Sequence, residues 1–144
     1  MSAKRKAPIW FLIITILLIV WNIIGLLSFY THITFTNNPE LIETAALERL
    51  YTQYPLWSVI IFGIAVVTGT AGAITLAMKK RISKFIFVIS LIAIIIQMTH
   101  NLLMTDVLNI LGVQAAILPL AVIIISIFSI WLSSYADRKR WLRK

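Results

Sequence analysis

Cysteine is absent from this chain of 144 residues. Disulfides, thiolate nucleophiles and thiolate-held metal or iron–sulfur centres are thereby excluded. Charge is almost as scarce: 12% of residues are Asp, Glu, Lys or Arg, where a soluble domain carries about 25%. Only 5 residues are acidic and 2 are histidine. The acids are scattered between apolar stretches. No HExxH, no phosphate-binding glycine loop and no locally supported Ser/His/Asp set accompanies them. The chain is therefore read as a non-enzyme, with no catalytic residue, no metal site and no cofactor.

What the chain has in excess is apolar surface, with 60% of residues hydrophobic and a mean hydropathy of +0.96. A small globule leaves too much of its surface exposed to hide that excess from water. The solvent of this chain is mostly lipid. Charge-free gaps separate Lys6 from Glu40, Arg49 from Lys79, Lys84 from Asp106, and Asp106 from Asp137. Each holds about 20 apolar residues, enough to cross roughly 30 Å of hydrocarbon at about 1.5 Å per residue. Spans are expected at about 9–30, 55–78, 85–104 and 113–133. They must be helices, because lipid offers the backbone no partner and the alternation of a barrel strand is missing. The first apolar run is too long for a signal-peptide core and lacks a small-x-small cleavage site, so it reads as an anchor. The expected fold is an all-α polytopic membrane protein, 1–144 forming a single antiparallel bundle of four transmembrane helices.

The net charge of +8 is sorted along the chain. Lys4, Arg5, Lys6, Lys79, Lys80, Arg81, Lys84, Arg138, Lys139, Arg140, Arg143 and Lys144 fall on one side of the four spans, with only Arg49 opposite. Glu40, Glu43, Glu48 and Asp106 fall on that opposite side. The positive-inside rule then puts both termini in the cytoplasm. Orientation accounts for the basicity without a nucleic acid. Arg138, Lys139, Arg140, Arg143 and Lys144 also suit anionic lipid headgroups, with Trp141 and Leu142 dipping into the interface.

Residues 31–54 are the one sizeable outer segment. Asn38-Pro39-Glu40 reads as a helix start, and Leu41, Ile42, Ala45, Ala46, Leu50 and Tyr54 recur at helical spacing. An amphipathic helix is expected at about 39–53, either as a plain connector or as a lid over a cavity. Polar residues inside spans are costly unless paired, so each is a candidate. Counting back from the predicted span ends places Trp21, Asn22, Gln97, His100 and Asn101 in one outer layer. That layer is either a hydrogen-bonded clamp between spans one and three or the lining of a solute or water cavity. Ala65, Gly69 and Ala73 repeat every four residues, with Gly72 beside them and Gly25 opposite in span one. Such small-xxx-small faces let helices approach closely. Pro119 predicts a kink in span four. The core of every span lacks the ionisable group that proton- or sodium-coupled transporters usually keep there, such as the embedded Glu of the small multidrug exporters. His32 and His100 could hold one haem or metal between them.

Several features in order resemble a group of small bacterial four-span integral membrane proteins, loosely labelled sugar transporters or simply membrane proteins. They are Pro8-Ile9-Trp10, Trp21-Asn22 with Gly25, Leu50-Tyr51, Pro55-Leu56-Trp57, the glycine-rich second span, Lys79-Lys80, and Gln97-Met98 with Asn101. The resemblance implies a bacterial inner membrane and, through its label, solute movement. The chain does not resemble the three-span sugar-exporting half-transporters, whose Pro-Gln motif is replaced here by Pro119-Leu120. The primary expectation is a structural or accessory bundle, a homo-oligomer through the Ala65/Gly69/Ala73 face. The alternatives are a passive or weakly coupled carrier of a small neutral solute such as a sugar, lined by Asn22, Gln97 and Asn101, and a haem-binding redox protein.

Overall fold

The computed structural model of the protein describes residues 6–144 and is all-helical apart from its loops and one isolated bridge. Lys4 and Arg5 lie outside the described residues. Six α-helices follow one another: α1 (Ile9–Asn37), α2 (Ala45–Tyr51), α3 (Leu56–Ala77), α4 (Ser83–Met104), α5 (Val107–Leu111) and α6 (Ile117–Arg138). Four of them, α1, α3, α4 and α6, are long and apolar enough to cross a membrane. The short α2 and α5 sit at the end of the bundle opposite the carboxyl terminus.

The helix ends follow from local chemistry. Helix α1 continues past Tyr30, where the first span was expected to end, to Asn37, and Thr31, Thr34 and Thr36 turn their hydroxyls back onto Leu27, Tyr30 and His32 carbonyls at 3.1, 2.9 and 2.8 Å. Pro39 disfavours the helical conformation at Asn38. Asn38 then closes α1 by donating from Nδ2 to the Thr34 carbonyl at 3.0 Å rather than capping a following helix. The expected helix at about 39–53 is broken. Pro39–Leu41 forms one 3-10 turn, Ile42 is extended, and α2 begins only at Ala45. A single turn leading into β-branched Ile42 and Thr44 gains too few bonds to propagate. Its inward residues are Leu47, Leu50 and Tyr51, while Leu41, Ala45 and Ala46 are exposed. Pro119 does not kink the fourth long helix. It is the third residue of α6, in the first turn, where an amide has no intrahelical acceptor to lose.

In space the long helices run α1, α3, α4, α6, each packed on the next. Apolar contact gains little from the hydrophobic effect when the alternative neighbour is a lipid tail, so close packing and hydrogen bonds must hold the helices together. Helices α3 and α4 supply both. Ala65, Gly69, Gly72 and Ala73 are buried, Gly69 between Asn22 of α1 and Ser90 of α4, and the Ser90 hydroxyl donates across to the Ala65 carbonyl at 2.8 Å. A Cβ on Gly72 would stand 2.8 Å from the Phe87 ring. The small-residue face expected to form an oligomer is thus consumed inside the chain. Gly25 makes only an ordinary approach, 3.7 Å from Val66.

The carboxyl-terminal tail closes one end. Lys79 and Arg140 take left-handed conformations, φ 59° and 60°. Each ends its helix with paired 6→1 and 5→2 backbone bonds, Lys80 to Thr75 and Lys79 to Leu76 at 2.9 Å, Trp141 to Ala136 at 3.0 Å and Arg140 to Asp137 at 2.9 Å. The tail then turns under the bundle. Arg81 N donates to the Arg143 carbonyl at 2.8 Å, and Arg81 pairs with Asp137 at 2.6 Å. Leu142 turns inward, and Trp141 rests on aromatic neighbours. Leu142 joins Phe11, Leu76, Leu132 and Ala136 in the core, and Trp141 packs on Trp10, Phe11 and Tyr135 at 5.6, 5.3 and 5.6 Å. Away from this end the backbones of α1 and α6 scarcely approach one another.

Candidate functional site

The separation of α1 from α6 leaves a cavity of about 510 Å³ that all four long helices line. The volume lies within the roughly 300–1,000 Å³ of small-molecule sites. Its walls are mostly apolar, from Ile24, Phe62, Val66, Phe87, Ile94, Met98, Leu118 and Val122. Among the described residues, no Asp, Glu, Lys or Arg lines it. Beyond the cavity lining, an aromatic floor of Trp10, Tyr135 and Trp141 fills the end of the bundle that carries the carboxyl terminus.

Helix α2 covers the opposite end. Leu47, Leu50 and Tyr51 face the cavity, and Leu50 is buried. Two reciprocal bonds hold the chain after α2 to the start of α5: Gln53 Nε2 donates to Asp106 Oδ2, and Asp106 N donates to Gln53 Oε1, both at 2.8 Å. Next to this clasp, Tyr54 packs on His32 at 4.6 Å and donates its phenol proton to Asn101 Oδ1. Burial, reinforced by the neighbouring Tyr51 and partly opposed by a Thr105 hydrogen bond, pushes the Tyr54 pKa up to about 12. The phenol therefore remains a neutral donor across the physiological range.

Helices α3 and α4 meet along an antiparallel ladder of polar contacts. Tyr54 bonds Asn101, the Ser58 hydroxyl donates to Gln97 Oε1 at 2.7 Å, and Ser90 bonds Ala65 further down. Ser58 also lies 3.4 Å from His100 Nδ1. The hydrogen-bond clamp is therefore between α3 and α4, and not between the first and third spans as expected. Asn22 on α1 stays apart. Its Nδ2 donates within its own helix to the Leu18 carbonyl at 2.7 Å, and its Oδ1 nestles where a Gly69 Cβ would collide, level with Ser90. Ser90 precedes Gln97 by seven residues, about 10 Å of helix. Asn22 and Gln97 are consequently not at one depth. Counting back from Tyr30 misplaces Asn22, because α1 continues two further turns to Asn37.

Trp21, Asn22, Gln97 and Asn101 all line the cavity. His100 does not. It packs on Trp57 at 4.8 Å and on Tyr54 at 6.4 Å. His32 lines the cavity from the other side of Tyr54, against Tyr51 and Phe62 at 5.3 and 5.4 Å. Both imidazoles thus rest on the Tyr54 ring, which a group shared between them would have to displace. Among the described residues, no three His, Cys, Asp or Glu side chains form a ligand set. Sequence reasoning did not single out Ser58 or Leu47, and it named Tyr51 only within the family likeness. The signal for Ser58 was its four-residue spacing from Tyr54, which matches Asn101 and Gln97 on the next antiparallel helix.

Hydrogen-bond use at the cavity is uneven. Asn22 Nδ2 and Gln97 Oε1 are engaged, whereas Asn22 Oδ1 and Gln97 Nε2 have no partner among the described residues. His32 Nε2 is buried, also without a partner. Anchoring one end of each amide fixes the direction of the other. The result is an acceptor and a donor held in an uncharged, largely apolar chamber. No family model, curated protein or solved structure matches the chain.

Proposed function

We propose that the chain is a bacterial inner-membrane protein, both termini cytoplasmic, that receives a small uncharged molecule in this cavity, as a passive or weakly coupled carrier must. The observation that carries the reading is the unpaired Asn22 Oδ1 and Gln97 Nε2 in a chamber of about 510 Å³ without a charged wall. Each amide has its other end anchored, so the free end is held ready for a polar group that enters. An ionic substrate would enter an apolar chamber with no counter-charge to offset its desolvation. The sorting of basic residues supports the orientation, and the ordered likeness to small bacterial four-span proteins supports the membrane. Arg138, Lys139, Arg140, Arg143 and Lys144 then face anionic headgroups. If two copies act together, their contact lies on a face other than Ala65, Gly69 and Ala73.

The test is uptake by proteoliposomes holding the full chain, with radiolabelled glucose, glycerol and decanol as neutral probes and glucose 6-phosphate as the charged control. At least one neutral probe is expected to equilibrate faster than in protein-free vesicles. Asn22→Ala and Gln97→Ala should slow it about tenfold, equivalent to about 1.4 kcal/mol. Absence of flux for every neutral probe, together with no thermal stabilisation by any of them, would return the chain to a purely structural role.

A further inference from the structure

A second hollow adjoins the cavity, a groove of about 470 Å³ between α1 and α6. Its lining is wholly apolar, from Ile14, Leu17, Leu18 and Val20 on α1 to Ile125 and Phe128 on α6, together with Trp21 and Ile24. Trp21, Ile24 and Ile125 line both spaces. The groove and the chamber therefore share a wall, and that wall is made of side chains alone, since the two backbones scarcely approach there. The outward faces of Leu17 and Ile24 are 61% and 52% exposed, so the groove opens on the surface that four lipid-facing helices present to hydrocarbon. The ends of the bundle are blocked by contrast, by the Trp10/Tyr135/Trp141 floor at one side and by α2 clasped through Gln53 and Asp106 at the other.

Resting on the reading above, we infer that the ligand is a neutral amphiphile with a hydroxylated head and one hydrocarbon chain, and that it comes sideways from the bilayer between α1 and α6. The head suits the chamber, because a hydroxyl can donate to Asn22 Oδ1 or, about two helical turns further on, accept from Gln97 Nε2. The chain suits the groove. From Ile14 to Ile24 the groove follows ten residues of α1, about 15 Å, away from the polar atoms and toward the aromatic floor. The polarity gradient runs in one direction, polar in the chamber and apolar in the groove, as an amphiphile requires and a sugar does not. Charged lipid headgroups are excluded by the same uncharged walls. Trp21 and Ile125 stand where head and chain would join, and must swing aside for passage.

The experiment uses the full chain in nanodiscs with a photoactivatable long-chain alcohol carrying a diazirine in its tail. Labelling is expected on Leu17, Ile24, Ile125 and Phe128. It should be competed by excess hexadecanol and not by hexadecyl sulfate. Narrowing the portal with Ile125→Trp, or independently with the lipid-facing Ile24→Trp, should reduce competable labelling about tenfold, the loss of about 1.4 kcal/mol of binding. Circular dichroism verifies that each variant folds. Labelling that neither variant lowers, or that hexadecyl sulfate competes equally, overturns the inference. If glucose or glycerol is carried and its flux is untouched by both portal variants while the alcohol does not label, the cavity reading stands and lateral access fails. If no neutral probe binds or moves at all, both fail together.

Discussion

Gly72→Ala tests the packing that shapes the chamber. The added Cβ would stand 2.8 Å from both Cδ1 and Cε1 of Phe87 and 3.1 Å from its Cγ. Carbon atoms are comfortable at about 3.5–4.0 Å, so the ring must retreat by about 0.7 Å or more. Phe87 is buried and lines the chamber, so its free direction is into that space. Inserting a methyl into a packed site costs about 1–3 kcal/mol, and an escape route puts this one near the lower limit. Helix propensity acts the other way, favouring Ala over Gly by about 0.8–1.0 kcal/mol. Gly25→Ala isolates the two effects. It receives the same propensity gain, but its Cβ meets only Val66 at an unstrained 3.7 Å. The difference between the variants, measured by titrating mixed micelles with a denaturing detergent and following helicity, should be about 1–2 kcal/mol in favour of Gly25→Ala. Adding Phe87→Leu to Gly72→Ala should recover part of the loss, since contacting residues do not contribute additively. Equal stability of the two alanine variants would show that α3 and α4 do not approach as closely as the geometry requires.

Other predictions concern the ends of the bundle. Gln53→Ala removes both bonds to Asp106, and amide exchange across α2 should quicken about tenfold, a partly exposed charged hydrogen bond contributing about 1.5 kcal/mol; unchanged exchange would mean α2 is held by Leu50 alone. In an ultraviolet absorbance titration one tyrosine should ionise near pH 12, and Tyr54→Phe should remove that step. Because the folded state holds this proton more tightly than the ordinary phenol, with its pKa near 10, its contribution to stability is complete below about pH 10 and lost as pH rises toward 12. Lys79→Gly should stabilise the chain by about 1 kcal/mol in the same detergent titration, by relieving a left-handed residue.

The spans were legible because charge and hydropathy leave few ways to thread a chain through lipid. Helix ends were less so. Tyr30 was read as the end of the first span because aromatic rings favour the interface, but the helix itself continues to Asn37, its Thr31, Thr34 and Thr36 hydroxyls bonded back onto it. Depth counted from Tyr30 therefore does not give the level of Asn22 relative to Gln97. The small residues of α3 were visible as a packing face, but a spacing of four does not say whether the partner is α4 or another copy. The tail shows the same limit. Trp141 and Leu142 have the composition of an interfacial segment, and only the left-handed Arg140 turns them back onto Phe11 and Trp10.

Why the chamber stays open follows from the same physics. In water, an apolar gap between α1 and α6 would tend to close, because closure removes surface from water. In lipid, closure merely exchanges one apolar neighbour for another, so α1 and α6 gain only packing. The polar ladder joins α3 to α4 and α2 is clasped to α5, while among the described residues α1 has no hydrogen bond to draw it across. Asn22 and Gln97 each spend one half of an amide on orientation and keep the other half free, about two helical turns apart. A single hydroxyl therefore meets one of them at a time. The pair reads as two stations along one path, with Gln97 near the α2 lid and Asn22 beside the portal at Trp21. A molecule leaving the bilayer would bond Asn22 first and Gln97 second. Asn22→Ala should thus slow arrival from the membrane, while Gln97→Ala should leave arrival intact and slow passage toward α2. Photolabelling at the portal and flux across the vesicle separate those two effects, and equal effects of both variants on both readouts would refute the ordered path.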